Sequence, residues 1–402
     1  MPIMPMLEGE IPEEDIRAKA DAGGYFKWKY ECPEDMEFST GYEDIDFDKY
    51  DPELLRPLPK EEQDKYVDEL VEMYIERGIY PIKYFSEEGI WNELTRVFDE
   101  EVGFTGNYTK NGSAGRAYGN WRFPNLHQVL VQQQGAPRGS MYDKFFVKPW
   151  LRQAIRFIIF NGKTGGQPLP TRVYSALRLV GGSASNFKCT DARAIYERYV
   201  PEGGLILDTS MGFGGRMLGA ISSPNEYTYV GTDPNTETFY HLLQQKEDLV
   251  SYFGIDPERI ELHCAGSEHI SGIDGEADFM FTSPPYFNLE IYSEEESQSY
   301  NEYSEIDSWI EGFVRPTIRN IRRSLKKGGR CAINIADFYT RDTGKVNFVD
   351  DWIRISNEEG LPYESEFFLG VSARAGTALQ TGGGVKKERV PVFRKACVRR
   401  ML

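Results

Sequence analysis

From about residue 200 onward, short apolar runs alternate with amphipathic ones. The runs near 204–208, 228–232, 260–264, 277–282, 331–335, 364–369 and 390–394 have the length and composition of buried strands. Helix-length segments separate them. The largest, 308–325, places Ile310, Phe313, Val314, Ile318 and Ile321 on one face. Such alternation predicts an α/β fold, a doubly wound, mostly parallel seven-stranded sheet with ligands at the carboxyl ends of its strands. Upstream the pattern changes. Residues 61–77 carry Tyr66, Leu70, Met73 and Tyr74 on one helical face, and 91–98, 151–160 and 191–199 read as further helices. Residues 1–59 are proline-punctuated, acidic and aromatic, with no sustained period, and predict an extended or partly ordered arm. Residues 162–170 read as a linker or exposed loop.

Two of the predicted strands end in segments with chemical content. After the run 277–282 comes Ser283-Pro284-Pro285-Tyr286. Each proline fixes φ and removes a backbone N–H, so the turn is rigid and its carbonyls have no ladder partners. A hydroxyl, a free carbonyl and an aromatic face at a strand end suit a planar ring carrying an exocyclic amino group. A proline-capped strand with a buried tyrosine is the plainer alternative. Upstream, a short apolar strand ends in Asp208 and is followed by Thr209-Ser210-Met211-Gly212-Phe213-Gly214-Gly215-Arg216, then a helix. Glycines let the backbone approach a ligand closely, and a helix N-terminus favours an anion. The next strand ends in Asp233-Pro234, where an acid is placed for ribose hydroxyls. The turn matches neither G-x-G-x-x-G nor a phosphate-binding loop.

Together these segments resemble the class I S-adenosylmethionine-dependent amino methyltransferases that modify DNA bases, over roughly residues 180–396. The resemblance implies a Rossmann-like methyltransferase fold with an N-terminal extension. It also implies that Asp208, Ser210, Gly212, Phe213 and Gly214 hold the methionine part of S-adenosyl-L-methionine, with Asp233 and Pro234 at its ribose. By the same resemblance Ser267, in the segment His263-Cys264-Ala265-Gly266-Ser267-Glu268, contacts adenine, and Phe187 and Lys188 close over the methionine end. Ser283, Pro284, Pro285 and Tyr286 form the catalytic set: Ser283 Oγ and the Pro284 carbonyl accept the amino hydrogens, and Tyr286, with Phe287, stacks on a base flipped out of DNA. Serine at the first position is commoner among cytosine N4 enzymes than adenine N6 enzymes, so cytosine leads. Transfer to RNA or to a protein amide nitrogen is the alternative, as is binding without turnover. The glycine turn departs from the usual Asp-Pro-Phe-x-Gly-Ser-Gly-Thr; its Arg216 is placed to reach either the cofactor carboxylate or a neighbouring acid. Only about 75 residues separate Asp208 from Ser283, too few for an inserted recognition domain.

Charge refines this organisation. The net charge of −17 opposes a nucleic-acid partner. However, residues 1–100 hold 28 acids against 11 Lys/Arg, whereas 101–200 hold 4 acids against 14. The expected organisation is therefore an acidic arm and helical region over 1–100, a basic segment for DNA recognition over 101–175, and the methyltransferase domain over 176–402. In the basic segment, Tyr118-Gly119-Asn120-Trp121-Arg122-Phe123-Pro124-Asn125 and 132–138 mix cations with aromatics and amides, suiting phosphate contacts and base readout or simply a solvated basic face. The N-terminal region is expected first to pack on the catalytic domain, with mimicry of DNA charge, or binding of a partner protein or a second copy, as the alternatives. Residues 373–387, rich in Gly, Thr and Lys/Arg, read as a loop able to grip a phosphate backbone. The five cysteines show no C-x-x-C spacing and read as reduced thiols, and the four dispersed histidines read as structural. No metal site, membrane span or signal segment is expected, which points to the cytoplasm.

Overall fold

A computed structural model describes residues 3–109, 111–131, 139–160, 169–181, 183–287, 289–340, 344–371 and 386–396. Its centre is a nine-stranded sheet. The strands are β1 (Phe104–Thr105), β2 (Tyr108–Thr109), β3 (Leu205–Asp208), β4 (Thr228–Thr232), β5 (Ile260–His263), β6 (Ala277–Thr282), β7 (Leu325–Ile333), β8 (Tyr363–Val371) and β9 (Lys386–Arg394). Their order is β1-β2-β8-β9-β7-β6-β3-β4-β5. Strands β5 through β7 pair in parallel, and β9 runs antiparallel between β7 and β8. The seven strands expected from the apolar runs are all present, in a Rossmann-like, mostly parallel arrangement. The β1–β2 hairpin extends the sheet at β8, where β2 pairs in parallel.

The central strands are apolar on both faces because helices cover both. Ile206, Tyr229, Phe279 and Phe281 pack into one core, whereas Leu207, Val230, Met280 and Ile333 pack into another on the opposite face. The chain leaves β3 outward through β4 and β5, then returns to place β6 on the other side of β3. That reversal of strand order opens a crevice at the carboxyl ends of β3 and β6.

A third core lies outside the sheet. Helices α1 (Lys60–Arg77), α2 (Lys148–Phe160) and α3 (Pro170–Gly181) enclose Leu70, Tyr74, Leu151, Ile155 and Val173 together with Tyr42, Tyr50 and Tyr80. This core draws on both sides of residue 100, so that boundary does not coincide with a packing boundary. The charge asymmetry has an internal use as well. Arg152 pairs with Asp64 and Asp68, Arg156 with Asp64, and Lys148 with Glu72, which ties α2 to α1. Within the segment Tyr118 to Asn125, Tyr118, Phe123 and Asn125 are buried, and Arg122 pairs with Asp248 at 2.5 Å. Residues 132–138 and most of 373–387 lie outside the described residues.

Residues 3–59 are packed rather than standing away as an arm: Met4, Leu7, Ile16, Ala20 and Tyr25 join the two cores of the sheet, and Tyr42, Phe47, Tyr50 and Leu55 join the third core. The backbone N–H groups of Ile3 and Met4 donate to Glu261 at 2.5 and 2.6 Å, and that of Ile11 donates to the Cys264 carbonyl. His263 bridges Glu10 and Glu261, which raise its pKa against the lowering effect of burial. The long amphipathic stretch 308–325 forms Ile306–Trp309, a π-turn over Ile310–Val314, and a further helix, Arg315–Ser324. Pro316 removes a backbone donor there, so the turn ahead of it widens.

Candidate functional site

Strand β3 ends at Asp208, which is fully buried. Its Oδ2 accepts from Arg216 Nε and from the Tyr229 hydroxyl, both at 2.7 Å, and its Oδ1 accepts from Ser210 N at 3.2 Å. Arg216 Nη2 also donates to the Ser210 carbonyl. Burial opposes the charge on Arg216, yet the adjacent Asp208 carboxylate holds its pKa above the ordinary value. Asp208 thus braces the glycine turn from beneath. Of the two partners open to Arg216, the structure supplies the neighbouring acid.

The turn itself is fixed by backbone bonds and two glycines. Met211 N donates to the Thr232 carbonyl at 2.9 Å, and Thr232 Oγ1 donates to the Thr209 carbonyl at 3.1 Å. Gly212 has φ +56° and open space where a Cβ would lie. Gly214 has φ +68°, and a Cβ there would fall 1.9 Å from Gln245 Oε1. The Gly212 N–H donates to Asp233 Oδ2 at 2.8 Å, and Asn235 N donates to Asp233 Oδ1 at 3.1 Å. Burial pushes the Asp233 carboxyl up to about 6, although both N–H groups favour its ionised form.

The second motif sits at the end of the adjacent strand, β6. Thr209 Oγ1 donates to Thr282 Oγ1 at 3.2 Å, which joins the start of the glycine turn to the residue before Ser283. Ser283 Oγ donates to the Asn334 carbonyl at 3.1 Å and accepts from Asn334 Nδ2 at 3.2 Å. The Tyr286 ring lies against Phe348, with centroids 5.8 Å apart, and Phe287 is buried against Trp309. Phe287 has φ +50°, in the left-handed region that a bulky side chain rarely occupies.

Both motifs open on one cavity of about 580 Å³. Of the residues singled out in the sequence, Phe187, Lys188, Ser210, Gly212, Phe213, Asp233, Pro234, Ser267, Ser283 and Pro285 line it. Asp208, Gly214, Pro284 and Tyr286 do not. The first two stand behind the wall as supports, and the rings of Tyr286 and Phe287 each pack on a neighbouring aromatic. Lys188 pairs with Asp191 at 3.0 Å, and Ser267 Oγ lies 2.7 Å from Thr317 Oγ1.

Several lining residues gave no sequence signal. Asn334 follows β7, Gln298 follows an acidic run, and Arg116 and Arg178 come from the N-terminal half. Glu268 and Gln298 share the wall near Ser267, and burial raises the Glu268 pKa. Glu268 Oε2 and Gln298 Nε2 are buried without a partner among the described residues. An orphaned acceptor and an orphaned donor match an aminopurine, which offers amino hydrogens and ring nitrogens. With Asp233 for ribose hydroxyls and the open turn at Gly212, the wall fits an adenosyl cofactor.

No protein-family model and no curated protein sequence matches the chain. Among solved structures it is similar to the 1,6-didemethyltoxoflavin-N1-methyltransferase of Burkholderia thailandensis at 11% identity over 52% of this chain and 78% of that one, with a TM-score of 0.33. The antibiotic-resistance methyltransferase Kmr aligns at 12% identity over 54% and 97%, with a TM-score of 0.32. An S-adenosylmethionine-dependent methyltransferase of Methanosarcina mazei aligns at 14% over 50% and 97%, with a TM-score of 0.36. Likenesses this distant assign neither substrate nor chemistry to this chain.

Proposed function

We propose that the chain is an S-adenosylmethionine-dependent methyltransferase acting on the exocyclic amino group of a nucleic-acid base, with cytosine N4 in DNA ahead of adenine N6. One observation carries this reading: the glycine turn with Asp233, and Ser283 with Pro285, face a single cavity from adjacent strand ends joined by the Thr209–Thr282 hydrogen bond. Ser210, Gly212 and Phe213 would hold the amino-acid end of the cofactor, Asp233 its ribose, and Ser267, Glu268 and Gln298 its base. When bound, that cofactor supplies an electrophilic methyl group on a cationic sulfur.

The chain's own task is to prepare the nitrogen. An exocyclic amine shares its lone pair with the ring and attacks poorly while planar. Ser283 Oγ, accepting an amino hydrogen, favours the pyramidal form in which the lone pair is free. The cavity walls hold the amine in one orientation, which is worth several kcal/mol of barrier (about 7–11 in the best-oriented cases). A second reading, transfer to an amide nitrogen of a protein, is favoured by Glu290 and Glu388, which line the cavity and repel phosphate. Nucleoside mass spectrometry of DNA and RNA from expressing cells, beside tritiated-methyl labelling of total protein, tests both. N4-methylcytosine or N6-methyladenine above background supports the first. Label confined to protein overturns it.

A further inference from the structure

Ser283 can meet an amino group only if its own hydrogen is turned away from it. A hydroxyl has one donor and two acceptor sites, and its hydrogen rotates to suit its surroundings. Two contacts from a single residue settle the matter here. Ser283 Oγ gives its hydrogen to the Asn334 carbonyl at 3.1 Å, and Asn334 Nδ2 donates back to Oγ at 3.2 Å. The hydroxyl's donor and one of its lone pairs are then used, and what remains is a single lone pair on a residue that lines the cavity. Asn334 is itself locked in place, since its N–H donates to the Thr282 carbonyl at 2.8 Å.

Packing alone does not call for an asparagine at this position. Asn334 is 9% exposed, and its Oδ1 is buried without a partner among the described residues. A buried, unpaired amide oxygen is destabilising, and an apolar side chain of similar size would avoid that penalty. What the asparagine adds in return is the Nδ2–H aimed at Ser283. Pro284, the other acceptor expected from the sequence, does not line the cavity, so the polarity of the Ser283 hydroxyl carries more of the recognition.

We infer that Asn334 is a positioning residue that fixes the Ser283 hydroxyl as an acceptor, so that the site takes rings bearing an amino group and rejects rings bearing a keto oxygen at the same position. This rests on the amine-methylation reading above. A keto oxygen would face a lone pair, and a site whose polar group is left opposed to the wrong partner discriminates strongly.

The test measures binding of fluorescent octamers of deoxycytidylate against deoxyuridylate, and of deoxyadenylate against deoxyinosinate, to the full chain saturated with S-adenosylhomocysteine. Phosphates are the same within each pair, so the ratio isolates the amino–keto exchange. The wild type should prefer one amino octamer by about tenfold, and Asn334→Ala, which keeps the backbone carbonyl but removes the Nδ2–H that bars the Ser283 hydrogen from rotating toward the cavity, should bring that ratio to within about twofold. In methylation assays on the preferred octamer, kcat should fall while KM changes little. Asn334→Asp, which accepts the Ser283 hydrogen and still turns it from the cavity, should restore at least about half of the preference on a logarithmic scale. A melting temperature near the wild type's certifies folding of each variant. An Ala variant with the wild-type ratio overturns the inference and leaves the amine-methylation reading standing. A wild type with no amino preference in either pair overturns both.

Discussion

Asp208 is the place where structure and motif-based expectation diverge in a measurable way. Read as a cofactor ligand, it should be replaceable by alanine with loss of activity and little loss of stability. In the fold it is fully buried, pairs with Arg216 at 2.7 Å, and accepts the Tyr229 hydroxyl at 2.7 Å. Asp208→Ala therefore strands a buried guanidinium, and removing one partner of such a pair costs about 3–5 kcal/mol. With a urea m-value of about 3 kcal/mol/M, the unfolding midpoint should fall by about 1–1.7 M. Removing both charges in Asp208→Leu/Arg216→Met should recover most of that loss, because a well-packed apolar pair of similar volume is often neutral. Circular dichroism against urea at pH 7.5, with equal m-values checked across the set, supplies the numbers. An Asp208→Ala midpoint within about 0.3 M of the wild type would refute the bracing role.

Other outcomes follow from the same wall. With Asp233 at the cofactor ribose, as proposed, its carboxyl, raised to about 6 by burial, would accept ribose hydroxyls fully only when ionised. S-adenosylhomocysteine affinity should then weaken by up to about tenfold per unit as pH falls below 6, and calorimetry on Asp233→Asn should show a flat profile. The stability sign is opposite. A folded pKa above the unfolded one means that ionised Asp233 destabilises the unliganded fold progressively from about pH 4 to pH 6, so Asp233→Asn should raise the melting temperature at pH 7 and not at pH 4. At Gly214, a Cβ would strain φ +68° and strike Gln245 Oε1 at 1.9 Å. Gly214→Ala should cost about 2–4 kcal/mol in urea unfolding, whereas Gly212→Ala, with open space at its Cβ, should cost about 1–2.

The difference between what the chain reveals locally and what it hides is physical. Strands β3, β4 and β6 were legible because both their faces are buried, which makes each a continuous apolar run. The β1–β2 hairpin was not, since two-residue strands owe their existence to pairing with β8 some 250 residues away. Helix α3 hid behind Pro168-Leu169-Pro170-Thr171, which reads as a turn even though Pro170 begins a helix. In the site, the glycine turn and the Ser283 turn carry their chemistry within a few consecutive residues. Asn334, Gln298 and Arg116 reach the same cavity from three distant segments, and nothing in their neighbours marks them. The partners of Asp208 were only partly legible for the same reason: its contacts with Arg216 and Tyr229 are fixed by tertiary packing.

The pairing of individual cations narrows where a nucleic-acid backbone would run. The excess of Lys/Arg over 101–200 suggested a phosphate-binding block. Lys148, Arg152 and Arg156 are paired with acids of α1, Arg122 with Asp248, and Lys188 with Asp191. Arg116 and Arg178 differ, because both line the cavity and neither forms an ion pair among the described residues. The Arg178 Nε donates to Ser183 Oγ at 3.1 Å, and desolvation at the cavity wall and the charge of Arg178 lower the pKa of Arg116, although much of that residue reaches solvent. Two like charges held close at a cavity wall repel one another unless an anion joins them. If that anion is a phosphate, Arg116→Ala and Arg178→Ala should each lower the slope of log affinity against log salt by about 0.7 for a single-stranded octamer. Affinity should drop by similar factors for all four octamer sequences, since phosphate contacts carry no base information. Unchanged salt slopes in both variants would remove the backbone from this side of the cavity, and would shift the weight toward the amide-nitrogen substrate that Glu290 and Glu388 favour.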